Sequence, residues 1–160
     1  MNRTSVVAEP GVQQVVITRE FDAPRALVFR AYTEPDLLTR WWGPRRLVNA
    51  VLELDVRDGG RWHIVQRETD GTAYGFRGVF HGTPTQDGIV QTFEFEGAPG
   101  HVSLETATFE ERDGRTFMRN VAVYQSVADR DAMVEAGMEQ GIVEGYERLD
   151  ELLAAIPVAG

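Results

Sequence analysis

Cysteine and lysine are both missing from this chain of 160 residues. Without cysteine there is no disulfide, no thiolate zinc site and no sulfur nucleophile. Without lysine there is no Schiff base and no lysine general base. Histidine is confined to His63, His81 and His101, and serine to Ser5, Ser103 and Ser126. An enzyme built here would have to lean on Asp, Glu, His, Tyr or bound water. Long apolar runs are lacking too, since a membrane helix needs about 18–20 residues. Met1–Gln14 holds no stretch of signal-peptide length, so a cytoplasmic, soluble protein without a membrane partner is expected. Sixteen arginines face 25 acidic residues, for a formal net charge of −9. No basic block stands out, which excludes the electrostatic footprint of a nucleic-acid binder.

What is present points to a packed domain. Hydrophobic residues make up 42% of the chain, and large ones recur throughout, arguing against disorder. Residues 1–14 read as a flexible N-terminal arm, 15–157 as a single domain and 158–160 as a tail. In Val15–Phe21, Val15, Ile17, Arg19 and Phe21 share one face, predicting a strand. Pro24 suits the first turn of a helix bearing Leu27, Val28 and Tyr32. Thr33 is placed to cap a second short helix with Pro35 at its first position, carrying Leu37, Leu38 and Trp41 until Gly43-Pro44 stops it.

From Leu47 to Gln125 the period switches to two. Five turn signals, from Asp58-Gly59-Gly60 to Asp113-Gly114, divide the stretch into six strands that must pair as an antiparallel meander. Ser126, with Asp129, is placed to cap one long terminal helix reaching about Ala155. Gly137, Gly141 and Gly145 stack along one side of it. Three glycines in a helix interior cost roughly 2–3 kcal/mol against alanine. Close backbone approach or vacant space should offset that cost. The sum is an α+β sandwich: a curved seven-stranded antiparallel sheet, two short helices after the first strand, and a long C-terminal helix across it. One helix cannot cover so wide a twisted sheet, and a gap is expected between them.

Several motifs carry a resemblance. Thr18–Pro24, Val28–Thr33 and Arg40-Trp41-Trp42-Gly43-Pro44 resemble the opening of the Aha-like family, homologues of the heat-shock protein 90 ATPase activator. Asp55–Trp62, Phe93–Gly97 and Gly137–Gly141 resemble its later motifs, in the right order across about residues 15–155. The resemblance implies the helix-grip fold of the SRPBCC superfamily, START-like and Bet v-like. That superfamily holds lipid carriers, hormone receptors and polyketide cyclases, so the fold does not fix the function.

Inward-facing positions supply a candidate cavity wall. Trp62, Ile64 and Gln66 share one face, as do Tyr74, Phe76 and Phe80, then Phe93 and Phe95, then Met118, Asn120, Ala122 and Tyr124. The expected ligand-binding set is Trp42, Trp62, Phe76, Phe93, Phe95, Met118, Tyr124, Met138 and Gly141, holding a small hydrophobic or amphipathic molecule. Glu94, Glu96, His101 and Glu105 read as solvated charge around one hairpin loop, with one imidazole too few for a transition metal. No catalytic residue, metal or cofactor is assigned. Two further readings stay open: an enzyme on the same cavity with Glu94, His101 or Tyr124 moving protons, and a co-chaperone-like interaction module with an acidic exterior. A homodimer is compatible with all three.

Overall fold

Short reversals build the sheet. At the tightest, Asp113 and Gly114 both take positive φ (53° and 75°), the geometry a two-residue hairpin demands. The computed structural model describes residues 4–157. Strands β1 (Ser5–Val7) and β2 (Gln14–Phe21) are followed by helices α1 (Arg25–Thr33) and α2 (Pro35–Leu38). The meander comprises β3 (Val48–Leu54), β4 (Arg61–Arg67), β5 (Ala73–Val79), β6 (Gly88–Phe95), β7 (Val102–Arg112) and β8 (Arg115–Val123). Helices α3 (Val127–Glu135) and α4 (Met138–Ala155) complete the chain. All pairings are antiparallel, in the spatial order β1-β2-β8-β7-β6-β5-β4-β3.

Four expectations need correction. The sheet has eight strands among the described residues, because Ser5–Val7, read as part of an arm, pairs with Val16–Thr18. At three residues it is too short to show a period in the sequence. The expected tail, residues 158–160, lies outside the described residues. The terminal helix is two helices. Gly137 sits between them at φ +89°, a left-handed conformation that ends α3 without a Cβ penalty. Ser126 does cap α3, accepting a bond from the Asp129 amide. Thr33, by contrast, caps nothing: it belongs to α1 and its hydroxyl donates back to the Phe29 carbonyl. Trp41 and Trp42 follow α2 rather than lying on it.

Packing is uneven, and that unevenness positions the site. Leu149, Leu152 and Leu153 of α4 join Val15, Ile17 and Phe21 of β2 and Leu27, Val28 and Ala31 of α1 in a fully buried core. Toward β4–β6 the side chains of Trp42, Phe76 and Phe93 are only partly buried. The helix covers one side of the sheet densely and the other loosely.

Candidate functional site

A cavity of about 650 Å³ opens between the concave face of the sheet and α4. It is larger than the roughly 300 Å³ at which small-molecule sites begin. All nine residues of the expected set line it: Trp42, Trp62, Phe76, Phe93, Phe95, Met118, Tyr124, Met138 and Gly141. The alternation of the strands accounts for the sheet members, since residues two apart share a face.

The two tryptophans of the Trp41-Trp42-Gly43-Pro44 turn divide the work. Trp41 is buried, its indole N–H donating to the Ala31 carbonyl at 2.9 Å, and its ring stacks against Tyr146. It anchors. Trp42 projects into an aromatic cluster, edge-on to Phe76 at 5.2 Å and to Trp62 at 6.2 Å. Phe76 and Phe93 lie 5.5 Å apart, and Phe95 extends the row at 5.2 Å from Phe76. Ring pairs at these separations add attraction beyond area burial.

Polar side chains hold this turn in place from both sides. On the sheet side, Asn49 Nδ2 donates to the carbonyls of Thr39 and Trp42, and Gln66 Nε2 to Asn49 Oδ1 and the Trp42 carbonyl. On the helix side, Arg148 donates to the Gly43 and Pro44 carbonyls. Arg45 adds ion pairs to Glu147 and Glu151 at the surface. The turn is therefore a wall of the cavity fixed by partly buried side-chain hydrogen bonds to its carbonyls.

The three stacked glycines have different surroundings. A Cβ on Gly137 would meet open space, and one on Gly141 would touch only Pro44 Cδ at 3.6 Å. At Gly145 the backbone of the turn comes close, with Gly43 N at 3.1 Å and the Trp41 carbonyl oxygen at 3.2 Å from a built Cβ. Tight packing explains Gly145; it is against the turn, not the sheet. Gly141 instead borders the cavity, near exposed Ala136, Gly137 and Gln140 at the junction of α3 and α4. Arg46 and Tyr74 line the same cavity from the sheet side, and Arg46 is exposed. These exposed members mark the mouth.

The charged cluster expected around one hairpin loop is split by the structure. Glu94 pairs with Arg77 and accepts from the Gly100 amide, which holds its carboxyl below the usual range. Glu96 pairs with His63 at 2.8 Å, and His101 with Asp129 at 3.0 Å. None of these lines the cavity. Glu105 does. It shares its face of β7 with Ala107, stands opposite Gln91 of β6, and accepts a hydrogen bond from Asn120 Nδ2 at 3.0 Å. Desolvation raises its pKa, only partly opposed by the Asn120 bond. Its sequence neighbourhood of loop acids disguised it; its two-residue spacing from Ala107 and Phe109 was the available signal.

Three phenols surround this carboxyl closely enough to feel its charge. Tyr124 and Tyr32 are raised by burial well above the ordinary phenol value, and Tyr146 is pushed up to about 12. They are neutral at physiological pH. Tyr32 donates to the Tyr146 oxygen at 3.5 Å, and the Tyr124 hydroxyl lies 3.7 Å from Met138 Sδ. The cavity thus has an aromatic end along β4–β6 and a polar end on β7 and β8. No group of three or more acidic or histidine side chains suited to a metal occurs among the described residues. No helix there is long and apolar enough to cross a membrane.

A family described as "Activator of Hsp90 ATPase homolog 1-like protein" matches residues 22–154. Among solved structures, a protein from Mycobacterium smegmatis is 25% identical with a TM-score of 0.86, covering 98% of this chain and 100% of its own. A protein from Arthrobacter aurescens, solved by solution NMR, is 27% identical with a TM-score of 0.86, covering 95% and 92%. A third, from Rhodobacter sphaeroides, is 23% identical with a TM-score of 0.87, covering 96% and 99%. A comparison with curated proteins returns no match. The chain belongs to the Activator of Hsp90 ATPase homolog 1-like family and has its helix-grip, SRPBCC-type fold.

Proposed function

We propose that this member of the family binds a small hydrophobic or amphipathic molecule in the cavity between its sheet and α4. The observation that carries the reading is the 650 Å³ space itself, walled by Trp42, Trp62, Phe76, Phe93 and Phe95 on one side and Met118, Tyr124 and Met138 on the other. Apolar area removed from water supplies affinity at about 25 cal/mol per Å². The acidic balance of the chain, a formal net charge of −9, supports a small guest rather than a nucleic acid. The family's description names activation of a chaperone ATPase. A protein acting only through its acidic exterior would have no use for an open interior, so guest binding is the better reading.

Acid–base chemistry on a bound guest is favoured by one arrangement: Glu105 lines the cavity and accepts a side-chain hydrogen bond from Asn120. Of the groups an enzyme was expected to use, Tyr124 lines the cavity, and Glu94 and His101 lie outside it. Native mass spectrometry of freshly purified protein tests for a co-purified molecule. Titration with an apolar fluorescent probe tests the place. Gly141→Leu adds an isobutyl group at the cavity border, and probe binding should fall about tenfold or more while the fold persists. Unchanged binding, or unfolding alone, would show that the guest does not lie under α4.

A further inference from the structure

Two hydrogen-bond acceptors at the polar end of the cavity lack donors. Asn120 is 8% exposed, and its Oδ1 has no partner, although its Nδ2 donates to Glu105. That bond is the only side-chain hydrogen bond to Glu105 among the described residues, and it engages one of the two carboxylate oxygens. A buried acceptor such as Asn120 Oδ1 is costly to leave unpaired, whereas the second Glu105 oxygen is open to the cavity. The carboxylate also lacks a cation. Arg46, the basic side chain on the lining, is exposed at the mouth and pairs with Glu68. Arg19, two residues along β2 from Ile17, which pairs with Asn120, directs one nitrogen to Asp150 and makes no hydrogen bond to Glu105.

We propose that the guest is an amphipathic amine, with an ammonium head donating to Glu105 and an apolar body against Trp42, Phe76 and Phe93. This rests on the guest-binding reading and adds the class of molecule. An ammonium brings three donors and a positive charge, so it satisfies the open carboxylate oxygen and neutralises the carboxylate. A hydroxyl brings one donor and no charge. A carboxylate head brings further acceptors and sets a like charge beside Glu105. The aromatic end adds faces that attract a cation as it passes. A formal net charge of −9 favours the approach of cations over long range.

The test compares three probes that share one body and differ only in the head: naphthylethylamine, naphthylethanol and naphthylacetate, titrated calorimetrically into the intact protein at neutral pH. The amine should bind roughly tenfold or more tightly than the alcohol, as a charge-assisted hydrogen bond outweighs a neutral one. The acid should bind weakest. In Glu105→Gln the amine should bind no more tightly than the alcohol. An alcohol or acid that matches the amine in the native protein overturns the head-group assignment and leaves the cavity reading standing. An amine preference that survives Glu105→Gln removes Glu105 from it. Failure of all three probes to bind overturns the cavity reading as well. The comparison of heads in the native protein needs no variant, so a poorly folding Glu105→Gln does not rescue the idea.

Discussion

Gly78 leaves the space through which the indole of Trp62 crosses the sheet. Trp62 Nε1 donates to the Thr92 carbonyl at 3.1 Å, and a Cβ on Gly78 would overlap both that oxygen and the indole nitrogen. The β5–β6 ladder is interrupted here. Phe76 and Arg77 pair with Phe95 and Glu94, pairing resumes at Phe80 with Gln91, and the Val79 amide turns to the Thr92 hydroxyl. One tryptophan of the cavity wall is thus seated by a missing side chain on the neighbouring strand.

Gly78→Ala should therefore cost about 1–3 kcal/mol, the range for overpacking a filled interior. The obstacle is backbone, which does not rotate aside. Urea denaturation measures the loss, and an apolar probe should bind more weakly in the folded fraction because Trp62 is displaced. A variant as stable as the native protein would mean that the indole does not pass there.

The inward faces were legible because alternation is a strict code on a strand. Trp62 with Ile64 and Gln66, and Met118 with Asn120, Ala122 and Tyr124, all lie on the cavity side. Glu105 obeys the same code but was read by its neighbours, Glu94, Glu96 and His101. Proximity in sequence says nothing about which side of a sheet a side chain takes. The break at Gly137 was hidden for a related reason. Glycine spacing of four residues matches a continuous helix and also two helices meeting at one of the glycines. Only the left-handed backbone at Gly137 separates them. The strand Ser5–Val7 is too short to show any period at all.

Arg19 and Asp150 form a lopsided pair. The arginine side chain is 2% exposed and the aspartate side chain 32%. Arg19 Nε and Nη1 have no partner, so the aspartate is the main compensation for a buried charge. Removing it by Asp150→Ala should cost roughly 3 kcal/mol, the lower end of the about 3–5 kcal/mol typical of breaking a buried pair, because solvent still reaches this one. The double replacement Arg19→Met with Asp150→Leu should be more stable than Asp150→Ala alone, since neither charge remains. Chemical denaturation of the three proteins decides it. A loss below about 1 kcal/mol for Asp150→Ala would show that the guanidinium finds other partners.

Stability should depend on pH through Glu105. Burial raises the folded-state pKa of this carboxyl above its ordinary 4.5, so the folded protein holds the proton more tightly than the unfolded chain. The sign follows from linkage: stabilisation by the protonated form is complete below the unfolded value and is lost as pH rises through the folded one. Glu105→Gln removes this loss. Between pH about 4.5 and neutrality, the melting temperature of the native protein should fall relative to that of Glu105→Gln when no guest is bound. Parallel curves for the two proteins would show that the carboxyl is solvated.

Gly141 and Gly145 lie one helical turn apart on α4, and alanine should act on them in opposite directions. Both positions gain helix propensity, worth up to about 1 kcal/mol over glycine. At Gly141 the added methyl meets Pro44 Cδ at 3.6 Å, an ordinary contact, so most of that gain should survive. At Gly145 it meets Gly43 N at 3.1 Å and the Trp41 carbonyl oxygen at 3.2 Å. A loose turn could yield the few tenths of an ångström required. This one is held by Asn49 and Gln66 from the sheet and by Arg148 from the helix, so it cannot shift without breaking these partly buried hydrogen bonds. Gly141→Ala should raise the melting temperature and Gly145→Ala should lower it. Thermal unfolding of both, followed by circular dichroism, makes the comparison. A rise in both would mean that the Trp41–Pro44 turn is free to move away from α4, and that the cavity wall it forms is correspondingly soft.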